Sequence, residues 1–182
     1  MSESDRVEVK PSVPGEPLEQ AIEQANQQDF AKGPPPLASF GLVLHHDASW
    51  THEGHAFRNR KLKNLFDRSV RYLPDEGGVY VVQIGHFRGL VDVEESGFFV
   101  DDIDLVKGQV LLSDKSSDKL EVATLAISPI DGALLCRVKT DLDRDGVQAR
   151  FSHAVQAEFL NAVDDDGATV IVGGKRVALP PL

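Results

Sequence analysis

Residue types that a divalent metal favours crowd one short stretch: His45, His46, Asp47, His52, Glu53 and His55. Imidazoles and carboxylates are the ligands of zinc and related ions. The spacing speaks for another role. His52-Glu53-Gly54-His55 is one residue short of the H-E-x-x-H pattern, and the neighbouring glycine and aromatics read as turn and strand, so the two rings do not share a helix face. His45 and His46 are adjacent and point to opposite faces if they lie in a strand. The expectation is a polar hairpin with one or two histidines hydrogen-bonded to backbone, and the alternative is an ion-dependent protein or small enzyme that uses segment 45–55.

Asp141-Leu142-Asp143-Arg144-Asp145-Gly146 matches the opening half of a calcium loop, with carboxylates at alternate positions and a glycine at the sixth. The second half fails. Ser152 stands where a bidentate Glu belongs, Gln148 replaces the branched apolar residue, and no acid occurs between Asp145 and Glu158. An Asp-Gly turn between two elements gives the same letters without an ion. No cofactor is expected; calcium at Asp141, Asp143 and Asp145 is the ion-dependent alternative, and no metal site is favoured.

Arg58, Arg60, Lys61, Lys63, Arg68 and Arg71 face a single acid, Asp67, within one segment of an otherwise acidic chain. An anion, a phosphorylated ligand or an RNA backbone could dock there, with Trp50 and Phe57 as nearby stacking surfaces. The plainer reading is a solvated helix face, paired in part with Asp92, Glu94, Glu95, Asp101, Asp102 and Asp104.

Nucleophiles are unpersuasive. Cys136 sits in the apolar run Leu134-Leu135-Cys136-Arg137-Val138, where a buried, inert thiol is the usual outcome. Gly173-Gly174-Lys175-Arg176 lacks the leading glycine and the following Ser or Thr of a phosphate loop and reads as hairpin chemistry. His153 stands alone.

These residues must be positioned by a chain of 182 residues carrying 19 basic and 29 acidic side chains, a formal charge of −10. That balance disfavours a general coat on nucleic acid or anionic lipid. One cysteine makes no internal disulfide, no apolar run reaches membrane-span length, and the N-terminus has neither a basic nor an apolar leader region, so the reading is cytoplasmic. Six of the ten prolines lie before Leu37, in a stretch whose one aromatic is Phe30. Residues 1–36 are expected to be a disordered tail with a marginal helix over 18–32.

Beyond the Pro34-Pro35-Pro36 triplet, Phe40 to His45 reads as strand, followed by a turn and a short strand. Asn59 to Leu73 places Leu62, Leu65, Phe66, Val70 and Leu73 three and four apart, which predicts an amphipathic helix. Val79 to Ile84, Leu90 to Glu94 and Phe98 to Val100 read as strands. Gln109 to Ser113, Leu120 to Ile127 and Ala133 to Thr140 read as three strands at meander spacing. Val147, Phe151, Val155, Phe159 and Val163 recur every fourth residue and predict a helix over 148–163. Gly173-Gly174 marks a closing hairpin. The fold class is α+β: two small lobes over 37–105 and 106–182, each a mostly antiparallel sheet or β-roll with one amphipathic helix.

The order Trp50, His52, Gly54, Phe57, Arg58, then Leu62 to Phe66, Gly78-Val79-Tyr80, Val91 to Glu94 and Phe98 to Val100 resembles the bacterial domain-of-unknown-function family numbered 1285 (DUF1285). The segment Val147 to Val155 and the Gly173-Gly174 hairpin are similar to that family's C-terminal helix and last strands. The likeness covers about residues 37–182. It implies two small α+β lobes in a cytosolic bacterial protein and no established activity. Gly85-His86-Phe87-Arg88 departs from the pattern, where the family has a proline-containing segment.

The functional expectation is a non-enzymatic ligand- or protein-binding module whose surface, at a cleft between lobes, is formed by Trp50, His52, Arg58, Arg60, Tyr80 and Arg88. Trp, Tyr and Arg are the side chains that anchor binding sites. The expected partners are a small anionic ligand, a protein or a second copy of the chain, with no membrane and no general nucleic-acid binding.

Overall fold

The structure, a computed structural model, describes residues 10–11, 17–27 and 36–181. It divides into two compact units, the first ending at Glu94 and the second starting at Glu95. The division therefore precedes the expected 105/106 boundary, because the strand that follows Glu95 pairs wholly within the second unit.

The first unit runs β1 (Lys10–Pro11), α1 (Leu18–Gln27), β2 (Ala38–Leu44), β3 (Trp50–His52), β4 (His55–Ala56), α2 (Arg60–Ser69), β5 (Val70–Leu73), β6 (Val79–Ile84) and β7 (Phe87–Val93). Its mixed sheet has the order β4-β3-β2-β7-β6-β5, with β1 added in parallel on β2. Two pieces of the expected tail thus belong to the unit: β1, and α1, whose Leu18 and Ala21 are buried. Residues 28–32 of the expected helix lie outside the described residues. Asn59 caps α2, its Oδ1 accepting the amide N–H groups of Lys61 at 2.9 Å and Leu62 at 3.2 Å. The helix stops at Ser69 rather than Leu73. Val70–Leu73 pairs residue for residue with Val79–Val82, so sheet hydrogen bonds override a helical apolar spacing that continues through the junction.

The second unit runs β8 (Phe98–Asp104), β9 (Gln109–Leu112), β10 (Ser117–Lys119), β11 (Ala126–Ile127), β12 (Leu134–Val138), β13 (Val147–Phe151), α3 (His153–Asn161), β14 (Thr169–Val172) and β15 (Lys175–Ala178). Its main sheet is ordered β10-β9-β8-β13-β12-β11, with β8 and β13 parallel, and β14-β15 form a separate hairpin. The expected meander gives way to this order. Over 120–127 a short helical turn at Val122–Thr124 leaves only β11 as strand. The expected helix over 148–163 begins instead at His153, capped by Ser152. Val147 and Phe151, four apart, are also an even number apart, so they share one buried strand face with Ala149. The architecture is α+β in two units. Among the described residues, no helix is long and apolar enough to cross a membrane.

Candidate functional site

The β3-β4 hairpin sets the geometry of the first unit's candidate site. Glu53 and Gly54 both have positive φ, 48° and 79°, as a two-residue hairpin turn demands, and the turn places His52 directly opposite His55. The next residues, Ala56 to Asn59, lead into α2. His52, His55, Phe57 and Arg58 thereby line one open cavity of about 260 Å³, together with Leu18 and Glu19 from the start of α1 and Leu62 of α2. The lining mixes apolar Leu18, Phe57 and Leu62 with two imidazoles, one guanidinium and one carboxylate.

Of the six expected site residues, this cavity brings together His52 and Arg58. Trp50 lies in the core, 1% exposed, stacked near Phe57 at 6.0 Å and edge-on to Phe66 at 5.5 Å. It is a support for the cavity wall rather than a stacking surface. Tyr80 packs its ring on Tyr72 across the β5-β6 pair, 5.1 Å between centroids. Arg88 is buried and donates to Glu76. Arg60 is exposed at the start of α2.

The cationic segment is less neutralised than expected. Lys63 pairs with Asp67 at 2.8 Å, but among the described residues Arg58, Arg60, Lys61, Arg68 and Arg71 form no ion pair. Four of the six acids expected to balance them are committed elsewhere: Glu94 to His46, Glu95 to Arg150, Asp101 to Lys115 and Asp104 to Lys107. All five unpaired cations are exposed.

The histidine-rich stretch is arranged around a residue its spacing did not reveal. β2 ends at Leu44, so His45 and His46 lie in the following turn and both rings turn toward Glu94, instead of to opposite faces. Glu94 Oε2 accepts from the His46 backbone N–H at 2.8 Å and lies 2.7 Å from His46 Nδ1. These bonds, the backbone one foremost, hold the Glu94 carboxyl below its ordinary value. His45 reaches Thr51 Oγ1 through Nε2 at 3.0 Å and Glu94 through Nδ1 at 3.5 Å. A Thr-His-Glu row can hold a proton, but Glu94 spends its shorter bonds on His46, which leaves His45 weakly oriented as a base.

The Asp141–Asp145 loop links β12 to β13 through a tight turn in which Asp143 Oδ1 accepts the Asp145 N–H at 3.0 Å. Asp141 and Asp145 are exposed. Among the described residues, no group of three or more His, Cys, Asp or Glu side chains could hold a metal ion. Cys136 is buried, and burial, with Asp118 adding, pushes its thiol up to about 12.

Two features escaped the sequence reading. The α1 residues that line the cavity lie in the proline-rich tail, which was expected to hold no more than a marginal helix. Glu94 read only as the last residue of a strand, and nothing local signals its partner 48 positions away.

No family model matches the chain, and no curated protein matches it. Solved structures do. A DUF1285 family protein from Silicibacter pomeroyi DSS-3 has 14% identity and a TM-score of 0.56, over 87% of this chain and 93% of that one. A DUF1285 family protein from Shewanella baltica OS155 has 14% identity and a TM-score of 0.45, over 66% of this chain and 91% of that one. The likeness read from the Trp50-to-Val100 motifs is thus met at the level of fold: the chain shares its fold with the first of these DUF1285 proteins.

Proposed function

We propose that the first unit is a non-enzymatic binding module that seats a small anionic ligand at the His52–Arg58 cavity. One observation carries this reading: Arg58 at the cavity rim, and Arg60, Lys61, Arg68 and Arg71 along and just beyond α2, are exposed cations with no ion pair among the described residues, in a chain of net charge −10. A guanidinium with no ion pair beside a cavity lined in part by apolar side chains is a site for a carboxylate or phosphate. Catalysis is less supported, since the single thiol is inert and Glu94 is committed to His46.

Binding of inorganic pyrophosphate to the full chain, followed by amide chemical shifts, tests the proposal. Shifts at 52–62 that saturate, and that weaken about tenfold in the Arg58→Ala/Arg60→Ala variant, support it. Unchanged binding by that variant overturns it.

A further inference from the structure

The second unit holds a larger cavity, about 530 Å³, of the size that takes a small organic ligand. Three separate elements build it. The β8-β9 turn supplies Lys107 and Gly108, the stretch after β10 supplies Leu120 and Val122, and the β14-β15 hairpin supplies Val172, Lys175 and Val177. Leu120 and Val122 are 3% and 4% exposed and Val172 is 9% exposed, so the floor is apolar. Lys107, Lys119 and Lys175 stand on the rim against one acid, Glu121.

The rim cations differ in their freedom. Lys107 pairs with Asp104 at 2.8 Å and Lys119 with Glu121 at 2.5 Å, both pairs largely in solvent. Such exposed pairs open at little cost. Lys175 pairs with no carboxylate among the described residues, although its neighbour Arg176 is held by Asp164 at 3.0 Å. The fixed part of the site is shaped by packing. A Cβ on Gly108 would meet Val172 Cγ1 at 3.1 Å, so the turn that carries Lys107 lies against the hairpin that carries Lys175. The Gly173 N–H also donates to Leu105 O at 2.9 Å, which ties the hairpin to that turn.

We propose that this cavity binds a medium-chain carboxylate, its apolar tail on Leu120, Val122, Val172 and Val177 and its carboxylate at Lys175 and Lys107. An apolar floor alone would admit any greasy molecule, and a lysine rim alone any anion. Their combination selects a ligand with both parts, and a cationic rim in an acidic protein excludes amines by charge. The site uses residues of the second unit only, so it stands independently of the His52–Arg58 cavity.

The test is titration of the full chain with sodium octanoate, read by backbone amide shifts. Saturable changes confined to 107–109, 119–123 and 172–177 are expected, with octanol and acetate each binding about tenfold more weakly. Lys175→Glu, at an exposed hairpin position, is expected to weaken octanoate about tenfold while leaving the amide spectrum elsewhere unchanged, and Lys107→Ala to weaken it in the same direction. The proposal is overturned if octanol or acetate binds as tightly as octanoate, if the shifts fall elsewhere, or if both lysine variants bind as the unaltered protein does.

Discussion

The indole N–H of Trp50 donates to Asp67 Oδ1 at 2.8 Å, joining the start of β3 to the last turn of α2. The same carboxylate takes Lys63 Nζ on Oδ2, also at 2.8 Å. Asp67 is thus the single acid of a cationic helix because its charge is turned inward, where it satisfies a buried donor and holds α2 against the hairpin that carries His52 and His55. Trp50 is fully buried, so its N–H has no water to turn to.

Asp67→Ala is therefore expected to destabilise the protein by about 1–3 kcal/mol, the range for leaving a buried donor unsatisfied. Asp67→Asn keeps an acceptor and loses only the Lys63 charge pairing, and a half-exposed helical pair of that kind is worth about 0.3–0.5 kcal/mol. Urea midpoints of the two variants, compared with the unaltered chain, check the order. Equal losses would show that the indole bond contributes nothing.

Cys136 lies within β12, 1% exposed, with its thiol pushed up to about 12. Thiolate is the reactive form, and at pH 8 almost none is present. A disulfide exchange reagent is expected to leave the native protein unmodified and to titrate one thiol in urea. Rapid labelling of the native state would mean that β12 opens locally.

How far the sequence revealed this molecule depends on the range of the signal. The strand at Val79–Ile84 and the hairpin around Gly173-Gly174 were legible because turn residues and β-branched runs act locally. Val70–Leu73 and Val147–Phe151 were misread for one reason. Residues four apart lie on one face of a strand as well as of a helix, and only sheet partners distant in sequence decide between them. Of the six residues expected at the candidate site, His52 and Arg58 are six apart in the chain and line the same cavity. Trp50 was misread, since an exposed anchor and a core aromatic have the same letter, and the burial of Arg88 depends on Glu76 across a fold. Glu94 and Glu95 read as one acidic run, yet one serves His46 and the other Arg150, in different units.

Acid should weaken the fold through carboxylates held below their ordinary values. Glu94 is one, held down by the His46 backbone and side chain. Asp114 is another: burial pushes it up, but bonds from Ser116 and Lys139 more than offset this and leave it lowered. A carboxylate with a depressed folded pKa favours folding above its unfolded value, and that contribution is lost as pH falls through the folded value. Stability is thus expected to fall from about pH 5 downward. Asp114→Asn should flatten this slope while lowering stability at pH 7. Glu94→Gln should flatten it less, as a more exposed group. Urea midpoints from pH 7 to pH 3 measure both, and unchanged slopes in both variants would place the acid sensitivity elsewhere.

Arg150 offers the sharpest separation between charge and shape. It is 4% exposed and donates to Glu95 through Nη1 and to Asp131 through Nη2. Burial pulls its pKa down, and the bonds from Asp131 and Glu95 more than restore it, so it stays charged. The two acids are not equivalent. The Glu95 side chain is 6% exposed and that of Asp131 is 34% exposed. If Arg150 is removed, Asp131 can turn to water, whereas among the described residues the Glu95 carboxylate keeps only Ser128, whose hydroxyl donates to it at 2.5 Å. Arg150→Ala is expected to cost about 3–5 kcal/mol, most of it the uncompensated Glu95 charge. The double variant Arg150→Met/Glu95→Leu removes both charges and should cost less than Arg150→Ala, since paired burial of ions is offset by their desolvation. A chemical denaturation series of the double variant and its two single variants measures this. A double variant as unstable as the sum of the single ones would show no coupling between Arg150 and Glu95, and the uncompensated Glu95 charge would not be the source of the loss.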